Sequence, residues 1–157
     1  MKAIFAVDAL GGFGADGDMP WPRCQEDLQR FKQLTTGATV VMGRGTWTSN
    51  MPKPLPNRRN IVLSSTLTPD SRCEIFHNII ELTMNLKADE DVFVIGGVET
   101  LWKLRSLVDT VYLTRFDLIT KSTVVMKTES FLEGFELTDS SKFSNHTFQI
   151  WKRCDIL

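Results

Sequence analysis

Asp27 and Phe31 stand four residues apart with Leu28 beside the acid, a spacing that puts a carboxylate and an aromatic ring on one helical face. An acidic residue on an apolar face is unusual unless it is paired. The position also suits an ordinary acid at a helix N-terminus, and Glu26 is the adjacent competitor for any carboxylate role. A second chemistry is written at two junctions, Val41-Met42-Gly43-Arg44-Gly45-Thr46-Trp47 and Val94-Ile95-Gly96-Gly97-Val98-Glu99. Each ends an apolar strand with glycine and then begins a helix, so that free backbone N–H groups face a spot an anion can approach closely. Arg44 adds a charge-assisted contact. Either junction alone reads equally as a tight-turn glycine, but two in one small chain point to a dinucleotide with several phosphates. Ser64-Ser65 adds hydroxyls at a strand end, where they bind a ribose phosphate or start a turn.

The stretch from Gly12 to Gly17 spells GxGxxG, but Met19-Pro20-Trp21-Pro22 follows closely where a dinucleotide-binding fingerprint needs a helix. The match is an accident of composition, and residues 11–18 read instead as a glycine-rich loop suited to a mobile lid. A P-loop motif is missing from the sequence.

These residues need elements to position them. Runs at 3–7, 39–42, 60–64, 91–95 and 110–116 read as strands, the middle ones apolar on both faces. Helical spacing falls at 26–35, 78–87 and 99–108, whereas the C-terminal third carries no helix signal. Residues 135–138 and 143–152 alternate weakly and are expected to pair antiparallel at one edge. The alternation predicts an α/β fold, a mostly parallel sheet covered on both faces, in a single domain over 1–157.

Composition narrows the classes. The chain has 157 residues, 42% of them hydrophobic, and a formal net charge of −1, which fits one folded domain rather than a disordered chain. With a pI near 6.1 it has no long-range pull on nucleic acid or an anionic membrane, so any anion must be gripped locally. Three widely spaced cysteines and two remote histidines suit neither a disulfide framework nor a zinc site, so no metal is expected. No apolar run reaches membrane-spanning length, and a cytoplasmic location is the expectation.

Taken in order, Phe5-Ala6-Val7, Gly14-Ala15-Asp16-Gly17-Asp18-Met19-Pro20-Trp21-Pro22 and Asp27-Leu28-Gln29-Arg30-Phe31-Lys32 resemble the dihydrofolate reductase family. So do the two glycine junctions, Pro54-Leu55-Pro56-Asn57-Arg58, Asn60-Ile61-Val62-Leu63-Ser64-Ser65 and Val111-Tyr112-Leu113-Thr114. The matches keep the family's order and spacing over residues 1 to about 117. The resemblance implies a single-domain twisted sheet of about eight strands, mostly parallel with an antiparallel C-terminal strand, flanked by about four helices. It implies NADPH-dependent reduction of 7,8-dihydrofolate to tetrahydrofolate, with hydride to C6 and a proton to N5.

By the same resemblance Asp27 binds the pterin's N3 and 2-amino edge, Thr114 hydrogen-bonds Asp27, Trp21 holds a water and the Met19 loop controls water access. Ile4 and Ile95 offer carbonyls to the pterin, with Phe5 beside them. Leu28, Phe31 and Leu55 wall the substrate, and Arg58 meets its glutamate carboxylate. Ala6 meets the nicotinamide. Gly96 and Gly97 approach the pyrophosphate through a cis peptide with Thr46, and Arg44, Ser64 and Ser65 hold the 2′-phosphate. Gly14, Asp18, Gly43, Gly45, Leu63, Val98, Glu99 and Thr100 complete the cofactor set. Folate, methotrexate and trimethoprim are implied ligands, nucleic acid and membrane are not, and a monomer is expected.

Four departures stand out: Gly45 where many relatives are basic, Leu101 and Trp102 where a tyrosine is usual, Ser122-Thr123-Val124-Val125-Met126 where an acidic segment is usual, and six residues from Trp21 to Asp27 where some bacterial relatives have five, which makes Asp27 over Glu26 an alignment choice. The alternatives are a reductase of another pterin or a pyrimidine, and a binding or structural protein that keeps the fold with little turnover.

Overall fold

The computed structural model describes residues 1–14 and 19–154. Its centre is β1 (Lys2–Val7), flanked in parallel by β6 (Val92–Gly96) and β7 (Thr110–Phe116). Beyond β6 lie β3 (Thr39–Gly43), β4 (Arg59–Leu63) and β5 (Glu74–Phe76), all parallel. Beyond β7 lie β10 (His146–Arg153) and then β9 (Phe135–Lys142), each antiparallel to its neighbour. The eight-strand order is β5-β4-β3-β6-β1-β7-β10-β9, and β10 alone runs against the rest.

Alternation along the strands sorts the core into two layers. On β1, Ala3, Phe5 and Val7 pack in one cluster and Ile4 in the other; on β3, Val41 joins the first and Val40 and Met42 the second. Helix α1 (Gln25–Thr35) covers the second layer with Phe31 and Leu34. Helix α4 (Val98–Leu104) covers the first with Leu101 and Leu104. Crossovers from β1 to β3 and from β6 to β7 leave the sheet centre in opposite directions, so the C-terminal ends of β1 and β6 border a topological switch point.

Some elements carried little sequence signal. Strand β5 is three residues long, and α2 (Arg44–Trp47) and α5 (Thr128–Phe131) are single turns. The expectation of a helix-free C-terminal third is corrected by α5, which exists because Thr128 and Phe131 are buried against the first layer. With α3 (Ile79–Met84) there are five α-helical segments among the described residues rather than four. Strand β2 (Gly12–Gly14) pairs with β8 (Val124–Val125), so part of the expected lid loop is a short antiparallel ladder.

Asp8 anchors that ladder. Its buried carboxylate accepts from Leu10 N at 2.9 Å, Gly12 N at 2.7 Å, Thr120 N at 3.0 Å and Thr120 Oγ1 at 2.5 Å. Burial pushes its pKa up, but the donors from Thr120, Gly12 and Leu10 outweigh this and hold it below the ordinary carboxylate value. No described helix is long and apolar enough to cross a membrane.

Because its folded pKa is depressed, Asp8 contributes stability above its unfolded value of about 3.9, and that contribution disappears as pH falls through the lower folded value. Asp8→Asn is expected to cost about 1–3 kcal/mol at pH 7. Urea titrations from pH 7 to pH 3 check this: the gap to wild type should close in acid, and a gap that stays constant excludes the role.

Candidate active site

The first turn of α1 brings Asp27 over β7. Thr114 Oγ1 donates to Asp27 Oδ1 at 2.6 Å, and the Asp27 side chain is 17% exposed. Thr114 pairs with Ala6 across the β1–β7 ladder, so the acid sits at the C-terminal end of the central strand. Glu26 lies exposed on the other side of the turn. Trp21 is buried and stacks on Phe116 with ring centroids 4.8 Å apart, with Cys24 in the same cluster and Ala6 packed against it. Met19 is half-exposed at the loop's edge, and Asp18 lies outside the described residues.

An apolar wall continues from the acid. Ile4 and Leu55 are buried in the second layer, with Phe31 and Ile95 packed on them, and Leu28 is half-buried in the same turn of α1 as Asp27. Phe5 is not brought to this wall: its ring lies on the opposite face, 5.5 Å from Phe131 and 6.1 Å from Phe13. Only its backbone faces the switch point.

Arg58 sits at the far end of the wall. Its guanidinium donates to Thr35 Oγ1 at 3.0 Å and Pro56 O at 2.9 Å, both neutral, and burial lowers its pKa. Among the described residues no carboxylate pairs with it. Asn60, which the sequence did not flag, holds this loop: it accepts from Leu55 N and donates to Leu55 O and Arg58 O, each at 2.9 Å.

Across the switch point lie the two glycine junctions. A Cβ on Gly43 would stand 2.3 Å from Thr100 Oγ1, so glycine lets the end of β3 meet the first turn of α4 without displacing that side chain. Gly96 has φ +137°, which favours glycine, and the Gly96–Gly97 peptide is cis. Among the described residues a Cβ on Gly97 would find only Thr46 Oγ1, 3.7 Å away, so none of them fills the space above the junction. Val98 is half-buried, and Glu99 is exposed and pairs with Lys103 at 3.1 Å. Arg44 and Gly45 are exposed on α2. Leu63 packs into the first layer. Ser64 Oγ accepts from Thr66 N and Leu67 N, which opens a turn and leaves its hydroxyl proton free to donate, with Ser65 exposed beside it.

The departures also find their places. Leu101 is fully buried in the core, and Trp102 packs edge-on against Phe131 at 5.2 Å. In the changed segment, Thr123 N donates to Gly14 O at 2.7 Å and Ser122 joins the Asp8 group, so this segment is tied to β2 and to Asp8. Arg30 and His146 escaped the sequence analysis. Arg30 was legible as the residue one turn beyond Asp27 on the same face, whereas His146, 119 positions from Asp27, gave no local signal.

A family model described as dihydrofolate reductase matches residues 1–153. The chain is 48% identical over 105 residues to the dihydrofolate reductase of Mycobacterium leprae, covering 64% of this chain and 62% of that protein. It thus spans less than two thirds of that relative's length. It is 31% identical over 164 residues to the type 9 dihydrofolate reductase of Escherichia coli, covering 96% and 92%. A structure of dihydrofolate reductase from Enterococcus faecalis complexed with NADP(H) and RAB-propyl aligns at TM-score 0.85 with 27% identity, covering 98% of this chain and 96% of that one. Since the match runs through every element of the sheet, from the acid-bearing α1 and both glycine junctions to the reversed strand β10, the chain belongs to the dihydrofolate reductase family.

Proposed function

We propose that the chain reduces 7,8-dihydrofolate to tetrahydrofolate with NADPH, as a cytoplasmic monomer. One observation carries this: along α1, Asp27 is held by Thr114, Phe31 packs on the apolar layer of Ile4 and Leu55, and Thr35 holds the guanidinium of Arg58. A ring with a donor edge, an apolar middle and a carboxylate tail fits that order of groups.

In this assignment Asp27 accepts from N3 and the 2-amino group of the pterin, and Thr114 fixes the carboxylate's orientation. Leu28, Phe31 and Leu55 exclude water from the ring, and Ile4 and Ile95 present backbone carbonyls at its other edge. Phe5 contributes through its backbone alone. Trp21 and Met19 govern the entry of the water that delivers the proton to N5, and Arg58 binds the tail.

The residues at the switch point fit a dinucleotide carrying a 2′-phosphate. The space above Gly97 and Thr46, which none of the described residues fills, admits a pyrophosphate, and Arg44, Ser64 and Ser65 stand at the adjoining strand ends. Ala6 lies beside Thr114 for the nicotinamide, with Gly14, Gly43, Leu63, Val98, Glu99 and Thr100 around the cradle. Asp18 belongs to the cofactor set by resemblance alone. The chemistry supplied by NADPH when bound is hydride donation to C6 of the pterin. A 2,4-diamino antifolate such as methotrexate or trimethoprim meets Asp27 in the same crevice, and a tight one raises the melting temperature by mass action.

Loss of 340 nm absorbance with NADPH and dihydrofolate is the direct test. Asp27→Asn is expected to lower kcat/KM by about 10²–10⁴-fold, with Glu26→Gln near wild type. No turnover by pure wild-type protein excludes the proposal, and the reverse ranking moves the role to Glu26. For Arg58→Leu, KM for dihydrofolate should rise by roughly tenfold or more while a pterin lacking the glutamate is reduced unchanged. Equal losses on both substrates would remove Arg58 from tail binding. Gly45 is exposed, and no atom of the described residues lies within 4 Å of where its Cβ would stand, so Gly45→Arg meets no clash at Cβ. It should tighten NADPH by about tenfold and leave NADH unaffected, as fluorescence titration with both cofactors would reveal.

A further inference from the structure

Arg30 lies one turn beyond Asp27 on α1, and its side chain is only 16% exposed. Its guanidinium carbon sits 4.2 Å from the ring centroid of Phe148 and 5.0 Å from that of Phe143. One terminal nitrogen lies 3.4 Å from Asp27 Oδ1 and the other 3.3 Å from His146 Nε2. Arginine only donates, so His146 Nε2 must accept and the ring proton must reside on Nδ1. Nδ1 then donates to Asn145 Oδ1 at 2.7 Å, with Cys24 Sγ 3.9 Å away. The imidazole is fully buried and stacks on Phe143 at 4.7 Å. Burial, and next the Arg30 charge, hold its pKa below the ordinary histidine value, so it stays a neutral acceptor at physiological pH.

Sheet register supplies the frame. Thr114 on β7 pairs with Phe148 on β10, and Phe116 pairs with His146 two positions away, so the four share one face. Thr114 and Arg30 both converge on Asp27 Oδ1, and no donor among the described residues reaches Oδ2. The charged groups facing this cluster are Asp27 and Glu26 from α1 and Lys142 from β9.

We propose that Arg30, clamped by neutral His146 and the Phe148 ring, is a positioning residue that fixes Asp27 with Oδ2 turned to the substrate and sets the charge around the reacting ring. This rests on the reductase function proposed above. It has a consequence that a packing role would not have. A fixed cation opposes protonation of any group beside it, so removing it moves the midpoint of the pH–rate profile upward, whichever group takes the proton.

The experiment is the pH profile of kcat and KM for wild type, Arg30→Met and Arg30→Lys. Arg30→Met is expected to raise the midpoint by about one pH unit and to lower kcat by up to about 10²-fold, with KM for NADPH unchanged. Arg30→Lys, which keeps the charge and loses the fork, should retain the wild-type midpoint at reduced kcat. Arg30→Gln repeats the charge test if Arg30→Met does not fold. A midpoint that is unmoved in the neutral variants, or moved equally in Arg30→Lys, overturns the assignment. A wild-type protein without turnover overturns the reductase function and this assignment together, whereas an active wild type with an unmoved midpoint overturns the role of Arg30 alone.

Discussion

The 2.6 Å bond from Thr114 to Asp27 joins α1 to the centre of the sheet, and the candidate site is arranged around it. A carboxylate in an apolar crevice is tolerated only where donors meet it. Thr114 can be that donor because β7 lies beside β1 in a register that sets it opposite Ala6, at the switch point. A one-residue slip of β7 would turn Thr114 to the opposite face and present Leu113 or Arg115 to the acid. The strand pairing is therefore as much a part of the site as the side chains are.

Local rather than global charge matters here. The chain is close to neutral, and many of its ions are matched away from the site, as where Arg59 meets Glu74 and Glu90. The Glu74 hydrogen bond, followed by Glu90 against the opposing effect of burial, raises the Arg59 pKa. Arg58, its sequence neighbour, is instead held by a hydroxyl and a carbonyl. The two adjacent arginines thus differ in role because Arg59 opens β4 and meets the carboxylates, whereas Arg58 lies in the loop that Asn60 holds and turns to Thr35 and Pro56. The lid side is organised by Asp8, whose carboxylate gathers donors from both the β1–β2 turn and the loop before β8.

Much of this was legible in one dimension. Asp27 with Phe31, the glycine junctions and the buried strands are local patterns, and local patterns survive because helix and strand periods are set by the backbone. Two short elements were not legible: β5 and α5 are too brief to show a period and exist through packing, whereas the equally short α2 was marked by the glycine that ends β3. At Phe5 the strand period decides which part of a residue meets the site. Its place in a matching string suggested the substrate pocket, but alternation along β1 sends its ring to the other face.

By itself the sequence determined the fold class, the carboxylate-bearing helix, the two glycine junctions and the family, since each is carried by residues close together in the chain or by their order. The partners of the acid were decided only in three dimensions. His146 reaches Arg30 across 116 positions, and Thr114 reaches Asp27 across 87, because β10 folds back antiparallel on β7 and α1 crosses both. Such contacts depend on strand order and register, which no local pattern encodes, and they decide which oxygen of Asp27 is left for a ligand.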